Sequence, residues 1–181
     1  MTLGIVLPLI LLALLVFVLV LLARRAAKAL ATARASSAFQ QEFTGLATRV
    51  TPVIEDLVRR VDAVRRHQLP VEEIRESLAE AHGTFEGERE TLATWQLPTG
   101  FSVMVADVAE DLDRLARAIE TIDFGAQLVV TGAGRQRELE AQTAIKRGYL
   151  NLLHARQSFQ DHAATVVERA EASRERAGST A

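Results

Sequence analysis

His154, Ser158 and His162 are the first residues in this chain to test for chemistry. On a helix their four-residue spacing places two imidazoles and a hydroxyl on one face, where imidazoles ligate metals and accept protons. Ser158 separates the two rings, so they are not adjacent ligands, and the reading is helix surface or core edge. His67 and His82 are expected to have no carboxylate three or four positions away on their own helix. The chain has no Cys, no His-Glu-x-x-His, no Glu-x-x-His and no complete phosphate loop. Gly132-Ala133-Gly134 lacks the third glycine of a dinucleotide loop and follows a helical stripe, so it reads as a turn. Phe85 and Trp95 sit at core positions of their stripe and read as packing. No catalytic residue, metal ligand or cofactor is expected, and the chain is not read as an enzyme.

The elements that must position these side chains begin with an uncharged run over residues 3–23, rich in Leu, Val and Ile. About 20 apolar residues at about 1.5 Å rise each match the hydrocarbon thickness of a bilayer, so residues 1–23 are expected to form a transmembrane anchor. A cleaved signal peptide would need a basic n-region that Met1, Thr2 and Leu3 do not supply. Arg24, Arg25, Lys28 and Arg34 follow directly in a basic juxtamembrane helix over residues 24–35. Flanking cations stay on the cytoplasmic side, so the expectation is a single-pass protein of the cell membrane with its N-terminus outside and its helical domain in the cytoplasm. The same four cations can meet anionic headgroups.

Charge excludes one class of partner. Of 21 basic and 23 acidic residues, all the acidic ones lie after Ser36, so the body is acidic and no nucleic-acid interaction is expected. Apolar residues recur alternately three and four apart in four successive stretches, the spacing of amphipathic helices. They run from Phe39 to Val64, Val71 to Trp95, Phe101 to Ile122 and Leu139 to Ala170, separated by breaks at Leu69-Pro70, Pro98-Thr99-Gly100 and Gly132-Ala133-Gly134. The fold class is all-α: a membrane helix followed by an elongated antiparallel bundle of about four helices over residues 36–173, with a frayed tail at 174–181. Pro52 is expected to kink or restart the first bundle helix with the segment still one structural unit, because the apolar seam stays in phase across it, and Glu88 is the polar intruder in the second stripe.

The second helix carries Glu72, Glu73, Glu76 and Glu80 close together, a candidate face for a basic partner, set against the plainer reading of solvated helix surface. Arg49, Arg59, Arg60, Arg65 and Arg66 in the first helix, and basic residues early in the fourth, have the sign to pair with acidic neighbours.

Two stretches carry a resemblance to a known family. Ile54-Glu55-Asp56-Leu57-Val58-Arg59-Arg60-Val61, with His67 beyond it, is similar in its apolar positions to an Ile-Pro-Asn-Leu-Val-x-x-Val segment and following His of the bacterial LemA family. Ala155-Arg156-Gln157-Ser158-Phe159-Gln160-Asp161 is similar to its Ala-Arg-x-x-Tyr-Asn-Asp segment. Pro52 precedes Ile54 here, where the family has Pro directly after it. The resemblance implies an outward-facing anchor, a cytoplasmic helical bundle, no assigned reaction, and Arg156 and Asp161 as polar positions of interest. The functional expectation is a membrane-anchored interaction or scaffold module that binds another protein or itself; the alternative is a ligand-sensing bundle signalling through its first helix.

Overall fold

The computed structural model describes the backbone of residues 3–131 and 134–179, and their side chains except for residues 3–13, 26, 28, 29, 32, 33 and 177–179. Four long helices appear: α1 over Leu3–Arg65, α2 over Arg75–Thr94, α3 over Ser102–Thr131 and α4 over Arg135–Ser179, with a 3-10 turn at Val71–Ile74 leading into α2. No strand occurs among the described residues.

The apolar run from residue 3, the basic stretch over residues 24–35 and the first bundle helix lie on one continuous 63-residue helix. Residues 24–35 contain no Gly or Pro and are dominated by Ala, the best helix former, so nothing there stops propagation. Among the described residues no helix is long and apolar enough to cross a membrane. The side chains of residues 3–13, in the first half of the apolar run, lie outside the described residues. The helix runs on through Pro52 without a restart. Pro52 is exposed, so water can satisfy the carbonyl it leaves without a partner.

α1 ends by a Schellman closure. His67 takes the left-handed conformation (φ 57°), its N–H donates to Val64 O at 2.9 Å, and Gln68 N–H donates to Ala63 O at 2.9 Å. At the next two breaks Gly100 and Gly134 take positive φ, which glycine adopts without a Cβ penalty. Gly132 and Ala133 lie outside the described residues. α4 continues as helix to Ser179, past the end expected at residue 173.

The helices run up and down around one core. Phe43, Leu46, Ile54 and Leu57 of α1 are buried with Leu78 and Phe85 of α2, Leu112, Leu115 and Ile122 of α3, and Leu152 and Phe159 of α4. Each such side chain contributes about 1.5–3 kcal/mol when fully buried. α3 and α4 form the most extensive pairing, then α1 with α4 and α2 with α3, while α1 and α2 make the smallest contact of the helices that touch. Phe39, Phe43, Trp95 and Phe101 close the α2–α3 turn onto α1, with the Phe39 and Phe101 rings 4.8 Å apart.

The α3–α4 contact is set by small residues. A Cβ on Gly148 would sit 2.5 Å from Ile122 Cγ1 and 3.0 Å from Ile122 N; one on Gly125 would sit 2.7 Å from Ile145 Cγ1 and 2.9 Å from Ala141 O. Each glycine therefore lies against backbone of the other helix, and neither clash can be relieved by rotating a side chain alone. Gly83 in α2, by contrast, faces open space. Replacing Gly148 with Leu should destabilise the fold by about 1–3 kcal/mol or more through overpacking, whereas Gly83→Ala should stabilise it by up to about 1 kcal/mol. Thermal melts of the full chain in neutral detergent, followed by circular dichroism, test this; equal melting temperatures for the two variants would refute the close-packed seam.

Candidate functional site

The small-residue seam leads into the most deeply buried charge of the molecule. Asp111, Ala118 and Gly125 follow one another at seven-residue spacing on α3, as do Ala141, Gly148, Ala155 and His162 on α4. The helices are antiparallel, so Asp111 and His162 meet at the far end of the row from the α3–α4 turn. Asp111 is fully buried, with Oδ2 2.6 Å from His162 Nδ1 and Oδ1 3.3 Å from Arg114 Nη1. A buried aspartate holding an exposed-edge histidine is the orienting half of a nucleophilic triad. The remaining part is missing: among the described residues Ser158 makes no hydrogen bond to His162. No group of three or more metal-ligating side chains occurs among the described residues. The expected His154, Ser158 and His162 face is thus divided, with His162 turned into the α3–α4 seam and His154 exposed.

The reading of His82 as unpaired is corrected. Its Nε2 lies 3.4 Å from Glu120 Oε1 on α3, and Glu86 stands four residues on from it along α2. Sequence spacing alone could have found Glu86; Glu120 required the packing of α2 on α3.

Glu88, the intruder in the second stripe, is explained by α1. Arg49 Nε donates to its Oε1 at 2.6 Å and Arg49 Nη2 to its Oε2 at 2.9 Å, a two-pronged fit that holds the carboxylate at the core edge. The position follows the seam because the partner comes from the neighbouring helix. Arg156, singled out by the family resemblance, donates to Glu55 Oε1 at 2.6 Å, and Gln160 adds a bond to the same oxygen at 3.2 Å. Asp161 stays on the α4 surface, accepting from Gln157 at 2.9 Å. At the far end of the bundle, the Arg65 guanidinium stacks 4.2 Å above the Tyr149 ring. Beside it an open cleft of about 630 Å³ lies between the end of α1, the 3-10 turn and the start of α4, with Arg65, His67, Glu72, Glu138 and Lys146 in its walls.

The acidic residues chosen from the sequence are all on the surface. Glu72, Glu73, Glu76 and Glu80 are exposed, on the side of the 3-10 turn and α2 away from Ile74, Leu78 and Ala81. Among the described residues no cation pairs with any of the four. Of the basic residues expected beside the apolar run, Arg24, Arg25 and Arg34 are exposed, and the Lys28 side chain lies outside the described residues.

No family model, curated protein or solved structure matches this chain. The site therefore stands on its own geometry.

Four variants test these contacts. His162→Leu should cost about 1–3 kcal/mol by leaving the buried Asp111 acceptor short of its closest donor, and adding Asp111→Leu should recover part of that loss. Arg156→Ala, in a half-exposed pair, should cost less than about 1 kcal/mol. Denaturant unfolding measures all three, and an Arg156 effect larger than that of His162 would contradict the burial argument. The Asp56 carboxyl is held below its usual range by the hydrogen bond from Arg60, aided by Arg59. Its contribution is thus fully present above the ordinary carboxylate value near about pH 4 and is lost as pH falls through the lower folded-state value. Melting temperatures measured from neutral pH downward should fall less steeply in acid for Asp56→Asn than for the wild type.

Proposed function

We propose that this protein is a membrane-anchored interaction or scaffold module whose helical bundle works at the cytoplasmic face, without a reaction of its own. One observation carries the reading: Glu72, Glu73, Glu76 and Glu80 form an exposed acidic surface without cation partners among the described residues, on a bundle whose neighbouring helices otherwise exchange ion pairs. Unpaired charge of one sign steers and selects a partner of opposite sign.

The anchor is part of the same proposal. From Leu14 to Leu22 every side chain is apolar and 44–60% exposed, on all sides of a helix that the bundle does not reach. Such a surface needs an apolar medium around it, and residues 3–23 together have the length and composition to span a bilayer. Arg24, Arg25, Lys28 and Arg34 then fix the bundle on the cytoplasmic side. The resemblance of two stretches to the LemA family is consistent with that arrangement. A second reading, a ligand-sensing bundle, draws on the cleft of about 630 Å³ at the opposite end of the same α1 helix.

A reporter fused after Ala181 should be active only in the cytoplasm, and activity on the outer side would overturn the orientation. Crosslinking of the full chain in its native membrane should capture a protein or a second copy. The combined reversal of Glu72, Glu73, Glu76 and Glu80 to Lys should reduce that capture at least about tenfold through like-charge repulsion while leaving the helical spectrum unchanged. Undiminished capture would return the acidic surface to plain solvation.

A further inference from the structure

α2 spends stability on two glycines for which its own fold offers no reason. Gly83 and Gly87 lie in the helix interior, where each costs about 1 kcal/mol relative to Ala, yet a Cβ on either would touch nothing within 4 Å. With Glu76 and Glu80 they form one outward row at spacings of four, three and four residues. The row is acidic at one end and flat at the other, so another backbone can come close to it.

On the opposite side of α3 the molecule carries the complementary shape and charge. Between α3 and α4 runs a groove of about 560 Å³ over the buried Ala118 and Ala155, flanked by Arg114, Arg117, Arg147 and His154. Arg114 and Arg117 are engaged by carboxylates of their own helix, but among the described residues Arg147 and His154 have no acidic partner. The two surfaces stand at the same level of the bundle. Arg75 and His82, which bracket Glu76 and Glu80 on α2, meet Asp123 and Glu120 of α3 at 3.7 and 3.4 Å, and Arg117 and Thr121 at the groove belong to that stretch of α3. At about 100° per residue, the groove residues of α3 lie nearly half a turn around the helix from Ile119, Glu120 and Asp123, which face α2.

We propose that the groove between α3 and α4 takes the outward α2 row of a second copy of this chain. Ridge and groove point in opposite directions, so the contact is head-to-tail and propagates as a lateral row of bundles. The equal level suits copies held side by side by a common anchor. In that respect the inference rests on the proposed function; the match of charge and relief does not.

The test is sedimentation velocity of the purified full chain in neutral detergent, with no other protein present. Self-association is expected, weakening as salt rises from about 0.05 to about 0.5 M because the pairing charges are screened. Glu76→Arg with Glu80→Arg, and separately Arg117→Glu with Arg147→Glu, should each lower the association constant about 100-fold. Mixing these two variants should restore association, since each then offers the sign the other lacks. Gly83→Leu with Gly87→Leu should raise the melting temperature and still abolish association, which separates the contact from folding. A wild-type chain that stays monomeric, or a mixture that fails to reassociate, overturns the proposal. Because no other protein is present, either failure leaves the anchor and capture of a different partner standing, and those are read by the reporter and the crosslinking.

Discussion

The closeness of α3 to α4 is the constraint on which the rest of the bundle depends. Glycine at 125 and 148 lets the two backbones approach until a single methyl group would collide with the opposite main chain. That distance gives this pair the most extensive packing in the molecule and makes the hairpin a platform for the other two helices. Farther along the same pair of helices the Asp111 carboxyl is completely buried, where it meets the imidazole of His162 from the facing helix and the guanidinium of Arg114 from its own.

Polar ties set the register of α1 on that platform. Arg49 grips Glu88 of α2, Glu55 receives Arg156 and Gln160 of α4, and Arg65 covers Tyr149. Individually these half-exposed contacts are weak. Spaced along one helix they make a slide of α1 costly, because each contact has a partner at one height only. An apolar stripe by itself tolerates a shift by a heptad, so the charges add the specificity that the stripe lacks.

The helical architecture is legible in the sequence because its signal is local. The spacing of Phe39 to Val64, or of Phe101 to Ile122, depends only on one helix having one dry face, and the breaks at Pro70, Pro98 and Gly134 depend on local backbone chemistry. The seam that stays in phase across Pro52 marks the segment as one unit, but whether the helix restarts there depends on which side of it faces the bundle and lets water satisfy the freed carbonyl. The same limit applies to Glu88, whose partner is 39 residues away, and to Asp111, whose nearest polar partner, His162, is 51 residues away. A seven-residue recurrence of small residues on both α3 and α4 was present in the sequence as the one available clue to the seam between them. Glu72, Glu73, Glu76 and Glu80 are exposed because they fall between Val71, Ile74, Leu78 and Ala81, the buried positions of the 3-10 turn and the start of α2.

The unbroken α1 has a mechanical meaning. At about 1.5 Å per residue, its 63 residues make a rod of about 95 Å, with more than half its length outside the bundle. A helix resists twisting far better than a loop, so the azimuth of the apolar segment and that of the bundle are locked together. Inserting one residue in the Ala-rich stretch would turn every face of the bundle by about 100° relative to that segment and lift it by about 1.5 Å. The stretch therefore acts as a phase setting, and its length, more than its composition, decides which way the bundle looks.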